Sequence, residues 1–160
     1  KNWYASLFLA LTVPDICGKL EDPESKHSGA RYQAWFNRYL AAVNTAVIMG
    51  HTSVFLTAAD CWALRCSLLH EGSDEITNQR AREVLTHFKF TTFGGHRVKI
   101  NQVLVLNVAS FCTEMVTAAR VWLNDVSTAT EVQERMKQMV TVYENDFKPH
   151  PGVLMTGPRA

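Results

Sequence analysis

Apolar residues recur at helical spacing through most of the chain, and one stretch alternates instead. Trp3, Leu7, Ala10 and Leu11 share a face, which predicts a first helix from Asn2 to about Gly18, with Pro14 expected to kink it or start a new turn. The polar run EDPESKHSG (21–29) reads as a loop, and Ser28 as the cap of a second helix. That helix carries Tyr32, Trp35, Phe36, Tyr39, Leu40 and Val43 at i, i+3, i+4, i+7 spacing. Gly50 to Val54 reads as a connection to a central helix over Thr57 to Gly72. Thr57 is its predicted N-cap, Asp60 completes a T-x-x-D capping box, and Gly72 ends it. Cys61, Trp62, Ala63, Leu64, Cys66, Leu68 and Leu69 make it apolar on nearly every side, so it should be buried by the rest of the protein or by a partner.

Beyond Gly72, SDEITNQRAREVL is polar and expected to be partly helical. Between Thr86 and Leu106 the period changes to two, around Gly94-Gly95, which predicts an antiparallel hairpin turning at the two glycines. Asn107 is the expected cap of a long helix to about Asp125, with Phe111, Met115, Ala118, Ala119, Trp122 and Leu123 inward. Thr128 and Glu131 read as a second capping box, opening a last helix that carries Val132, Met136, Met139, Val140 and Tyr143. These readings add up to an all-α bundle of about five main helices with a short β-hairpin inserted at about 86–106. They place one domain over 1–147 and a flexible, Pro- and Gly-rich tail over 148–160.

Composition narrows the class. The chain has 160 residues, 47% of them hydrophobic, enough for one core. The net charge of +1 means that contact with nucleic acid must come from a local patch. Lys89, His96, Arg97 and Lys99 form such a patch on the hairpin. Cys17, Cys61, Cys66 and Cys112 show no C-x-x-C spacing and read as buried thiols of a cytoplasmic protein. The apolar segment from Trp3 to Val13 lacks a signal-peptidase pattern and is too short to span a bilayer, so no membrane association is expected. Glu83 and His87 have ligand spacing but no supporting motif; they read as surface, and no metal or cofactor is expected.

The chemistry concentrates on the central helix, where Arg65 and His70 interrupt the apolar surface. A buried guanidinium stays charged and demands a carboxylate, a phosphate or water. Asp15, near the end of the first helix, is a candidate partner for either residue. At about 100° per residue, Arg65 and His70 lie roughly 140° apart, while Asp60, Ser67 and His70 share a polar sector. One straight helix should not aim both groups at one point. Either its last turn loosens near Gly72 or a second copy of the helix completes the site. A structural ion pair and a helix-end histidine are the alternative.

The segment Arg65-Cys-Ser-Leu-Leu-His70 resembles the Arg-x(4–6)-His signature of the HEPN superfamily. The wider run ADCWALRCSLLHEG and the upstream LTVPDICGKLE are similar to small HEPN proteins of bacterial plasmids and phages. Cys66 stands where many HEPN nucleases carry Asn, and Gly72 where some HEPN toxins carry Tyr. The resemblance implies a HEPN-like helical bundle and a homodimeric, metal-independent endoribonuclease in toxin–antitoxin or anti-phage defence. It implies RNA as substrate and a cognate antitoxin or regulator as partner. Arg65 would bind phosphate, His70 would move the proton, and Asp60 would orient one of them, with Asp15 and Ser67 in support. A non-catalytic dimerisation or nucleotide- or RNA-binding module is the alternative.

Overall fold

Helix α1 (Trp3–Glu21) lies against α2 (Ser28–Tyr39), α3 (Ala58–Glu71) and α4 (Val108–Asp125) in a computed structural model that describes residues 1–158. A short α5 (Thr130–Lys137) packs on the C-terminal end of α1, where Arg135 Nε donates to the Leu20 carbonyl at 2.7 Å. The buried positions follow from amphipathic faces: Leu7, Ala10, Leu11 and Cys17 on α1, Tyr32, Trp35 and Phe36 on α2, and Phe111, Met115, Ala118 and Trp122 on α4. Burying the larger of these, the leucines, phenylalanines and Met115, contributes about 1.5–3 kcal/mol each. Pro14 does not end α1, which continues for more than a turn through buried Cys17 and Gly18. Among the described residues, no helix is long and apolar enough to cross a membrane.

The all-α expectation is overturned. The molecule is mixed α/β, with seven strands among the described residues arranged in three small sheets. Strands β1 (Thr45–Ile48) and β2 (His51–Val54) form an antiparallel hairpin where only a connection was expected. Its turn is Met49-Gly50, both at positive φ (52° and 79°), the conformation that two-residue hairpins require. The second sheet joins β3 (His87–Thr91), β4 (Val98–Ile100) and β5 (Val103–Asn107) in the order β3-β5-β4. The third is a hairpin of β6 (Phe147–His150) and β7 (Val153–Met155), within the tail that was expected to be irregular.

The expected 86–106 hairpin changes topology as well. Gly94-Gly95 does not join paired strands; it opens a crossing segment, and β3 pairs with β5 in parallel. The tight turn lies at Asn101-Gln102, between Ile100 and its partner Val103, with Asn101 at φ 55°. Asparagine tolerates this left-handed conformation, so the turn needs no glycine. The physical gain is burial. Parallel pairing puts Phe88 of β3 beside Leu104 and Leu106 of β5 in the core, all fully buried.

Local expectations also shift: Ser28 is the first residue of α2, whose N-cap is His27 without a side-chain bond, and Leu123 of α4, expected inward, is exposed. Residues 73–86 form turns and an isolated bridge rather than a helix. Helix α5 begins two residues after Thr128, with Ala129 at the N-cap and no side-chain cap bond, so the Thr128/Glu131 box does not form. It ends at Lys137, which leaves Met139, Val140 and Tyr143 outside it and exposed.

Candidate functional site

Helix α3 carries Arg65 and His70, and Thr57 and Gly72 mark its ends. Thr57 accepts from the Asp60 backbone N–H at 3.1 Å. Gly72 closes the helix at φ 67°, with its N–H returned to the Leu68 carbonyl. A residue with a Cβ would be strained in this left-handed cap.

Arg65, His70 and Asp15 converge. Arg65 Nε donates to Asp15 Oδ2 at 2.6 Å, across the α1–α3 contact, and both side chains are about four-fifths buried. Arg65 Nη1 lies 3.1 Å from His70 Nε2. The guanidinium carbon also sits 5.2 Å from the Trp62 ring centroid, a cation–π distance. The Cys66 thiol lies within reach of the same guanidinium. The roughly 140° between Arg65 and His70 therefore does not separate them. Helix α3 is regular to Glu71, and neither a loosened turn nor a second copy is needed. Angular spacing treats side chains as radial spokes, whereas arginine's long, jointed stem runs along the helix surface.

The hydrogen bond constrains the imidazole. A guanidinium only donates, so His70 Nε2 must accept, and in this arrangement the ring proton is on Nδ1. His70 is exposed, so Nε2 sits at the solvent end of the Asp15–Arg65–His70 chain. Cys66, beside them, has its thiol pKa raised by burial, which outweighs the lowering effect of Arg65. It is therefore a neutral thiol rather than a nucleophile.

Asp60 and Ser67 lie elsewhere. Asp60 is fully buried, and its carboxylate accepts from three consecutive backbone N–H groups: Glu83 at 2.7 Å, Val84 at 3.1 and 3.2 Å, and Leu85 at 3.3 Å. Ser67, also fully buried, donates to the Glu75 carbonyl at 2.6 Å. Both side chains pin the irregular 73–86 segment onto α3, on a different side from Arg65. The Asp60 carboxylate also makes no return bond to Thr57, so only half of the predicted capping box is present. The sequence signal for this role was a carboxylate inside an otherwise apolar helix, followed by a polar stretch whose own backbone groups need partners.

The basic residues expected to face RNA are engaged within the fold. Lys89 pairs with Asp74 at 2.8 Å. Arg97 and His96 both bond Glu114 of α4, His96 through Nε2 at 3.1 Å. His96 Nδ1 accepts from the Asn107 backbone N–H at 3.2 Å, so both ring nitrogens are committed. Lys99 Nζ reaches the Val54 carbonyl of β2 at 3.4 Å. His87 lies 3.7 Å from Glu75 rather than pairing with Glu83. Among the described residues, no group of three or more His, Cys, Asp or Glu side chains is placed to hold a metal ion.

Sequence reasoning missed a cavity of about 760 Å³ between the N-terminal turns of α1, the C-terminal end of α3 and the distal half of β3. Trp3, Leu7, Leu68 and Val108 supply apolar lining, and Glu71 and the Asp74–Lys89 pair supply the polar part. No run of neighbouring residues signals it, because four separate segments enclose it. Comparison with family models, curated proteins and solved structures finds no match to this chain.

Proposed function

We propose that the chain is a metal-independent endoribonuclease that works as a homodimer, with Arg65 and His70 as its reacting pair. The observation that carries this reading is the 3.1 Å contact between Arg65 Nη1 and His70 Nε2 on a solvent-facing patch, braced from behind by Asp15. A cation for phosphate and an imidazole lone pair stand side by side, as cleavage beside a ribose hydroxyl requires. Asp15 orients Arg65, and the guanidinium binds the phosphate oxygens. As the RNA enters, Nη1 turns from His70 to the phosphate and frees Nε2. Nε2 takes the proton of a 2′-hydroxyl, whose oxygen attacks the adjacent phosphorus. The bond to the 5′-oxygen breaks, and that oxygen takes the proton just gained by His70, which returns the imidazole to its neutral form. The products are a 2′,3′-cyclic phosphate and a 5′-hydroxyl. Such an activity belongs in toxin–antitoxin or anti-phage defence, held in check by an antitoxin or regulator.

A second reading is a non-catalytic dimerisation or RNA-binding module. The engagement of Arg65 by Asp15 and Trp62 favours it, because the same contacts describe a structural ion pair. One experiment separates the two. Purified protein is incubated with total RNA, with and without EDTA, beside folded His70→Ala and Arg65→Lys variants. The nuclease reading expects cleavage unaffected by EDTA, cyclic-phosphate ends, and a loss of about 100- to 10,000-fold in His70→Ala. Arg65→Lys should fail too, since a point charge cannot reproduce the planar two-pronged contact. Full activity in folded His70→Ala would refute the mechanism. Absence of cleavage with retained RNA binding would establish the second reading.

A further inference from the structure

The cavity beside α1 is bounded by an open strand edge. Strand β3 is an outer strand of its sheet. Its first half is covered on the outer side by an isolated bridge, with the Phe88 N–H donating to the Asp74 carbonyl at 2.8 Å and the Ile76 N–H to the Thr86 carbonyl at 2.8 Å. Beyond Asp74 the chain turns away toward Gly72 and α3, and the slot opens there. Backbone groups alternate sides along a strand, so Phe90, like Phe88, directs its N–H and C=O outward. These groups have no partner among the described residues. The slot therefore offers an apolar lining and an unpaired edge, the two features that a short extended apolar segment fills by strand addition.

The same chain carries a segment of matching chemistry. Met139-Val-Thr-Val-Tyr143, just beyond α5, is rich in β-branched and aromatic residues. It belongs to no strand, and Val140 and Val142 are 92% and 82% exposed. It lies outside the slot of its own chain. Helix α5 ends beside Leu20, held by the Arg135 bond, whereas the slot lies at Trp3 and Tyr4. At 1.5 Å per residue these two ends of α1 are about 24 Å apart. Met139 is still tied back by its N–H to the Met136 carbonyl, and the three residues from there to Val142 span at most about 10 Å.

We infer that Met139–Tyr143 of one copy inserts as an added strand along the Phe90 edge of a second copy, so that two chains exchange C-terminal arms. The insertion is reciprocal, each copy's arm in the other's slot, which closes the assembly as a symmetric dimer rather than an open chain. The exchange does not depend on what Arg65 and His70 do.

The test uses the full chain. Wild type is expected to dimerise in sedimentation velocity, and Val140→Asp/Val142→Asp to remain folded by circular dichroism while its dimer dissociation constant rises at least tenfold. A photo-crosslinking residue replacing Val142 is then introduced, and unlabelled protein is mixed with nitrogen-15-labelled copies. Crosslinks are expected between labelled and unlabelled chains, at residues 71–74 or 89–92. Crosslinks confined to one copy, crosslinks elsewhere, a monomeric wild type, or an equally tight dimer in the double aspartate variant would each overturn the inference.

Discussion

Asp60→Asn should unfold the protein more easily while leaving the Arg65–His70 pair in place. In the wild type, Oδ1 accepts from the Glu83 and Val84 N–H groups, and Oδ2 from those of Val84 and Leu85. An amide keeps one acceptor oxygen. If that oxygen stays at Oδ1, the new NH2 group faces the Leu85 N–H, donor against donor. One hydrogen bond to a charged acceptor, about 1.5–3 kcal/mol, is lost, and a buried N–H is left without a partner. The sum is a destabilisation of about 2–4 kcal/mol, or roughly 5–12 °C for a domain of this size. Asp60→Ala strands all three N–H groups and should cost more, near the upper end of single-residue effects. Urea denaturation followed by tryptophan fluorescence measures the first quantity. Hydrogen exchange of the 83–85 amides, expected to accelerate by at least about 30-fold from the same free energy, localises it. An Asp60→Asn protein with an unchanged midpoint and protected 83–85 amides would refute the anchoring role. Activity lost at unchanged stability would restore Asp60 to the reacting group.

Two further outcomes follow from buried groups. The Cys61 thiol, fully buried and 3.3 Å from the Tyr32 hydroxyl, is pushed up from 9.0 to about 12 by burial. Below pH 9 it is neutral in both folded and unfolded chains. Between pH 9 and 12 only the unfolded chain releases the proton, so stability falls as pH rises, by about 1.4 kcal/mol per unit for this group. Cys61→Ala should show a correspondingly shallower slope in urea titrations from pH 9 to 11, and an identical slope would contradict the assignment. Asp15→Asn should weaken the 2.6 Å contact that holds Arg65. A stability loss of about 1–2 kcal/mol is expected, since both side chains are partly solvated; a melt superimposable on wild type would show that Arg65 does not need this carboxylate.

Local chemistry is what the sequence alone determined. Thr57, Asn107 and Gly72 marked helix ends because each cap is a contact between a residue and backbone three or four positions away, or a single φ angle. The faces of α1, α2 and α4 were legible because a period near 3.6 must bury one stripe. Asp15 was one candidate partner for Arg65 or His70, with a solvated helix-end carboxylate as the alternative, and the fold pairs it with Arg65. The β3–β5 pairing was not legible, because which strands meet, and in which direction, depends on burying Phe88 and Leu104 together across a long loop. Gly94-Gly95 looked like a turn in the sequence, but the turn went to Asn101, where strand pairing closes the shorter loop. Asp60 and Ser67 shared a polar sector with His70, yet the 73–86 segment folds back onto both: its N–H groups donate to the Asp60 carboxylate, and Ser67 donates to its Glu75 carbonyl. Helical angle gives the direction in which a side chain leaves the axis. Only the tertiary structure decides which backbone arrives there to meet it.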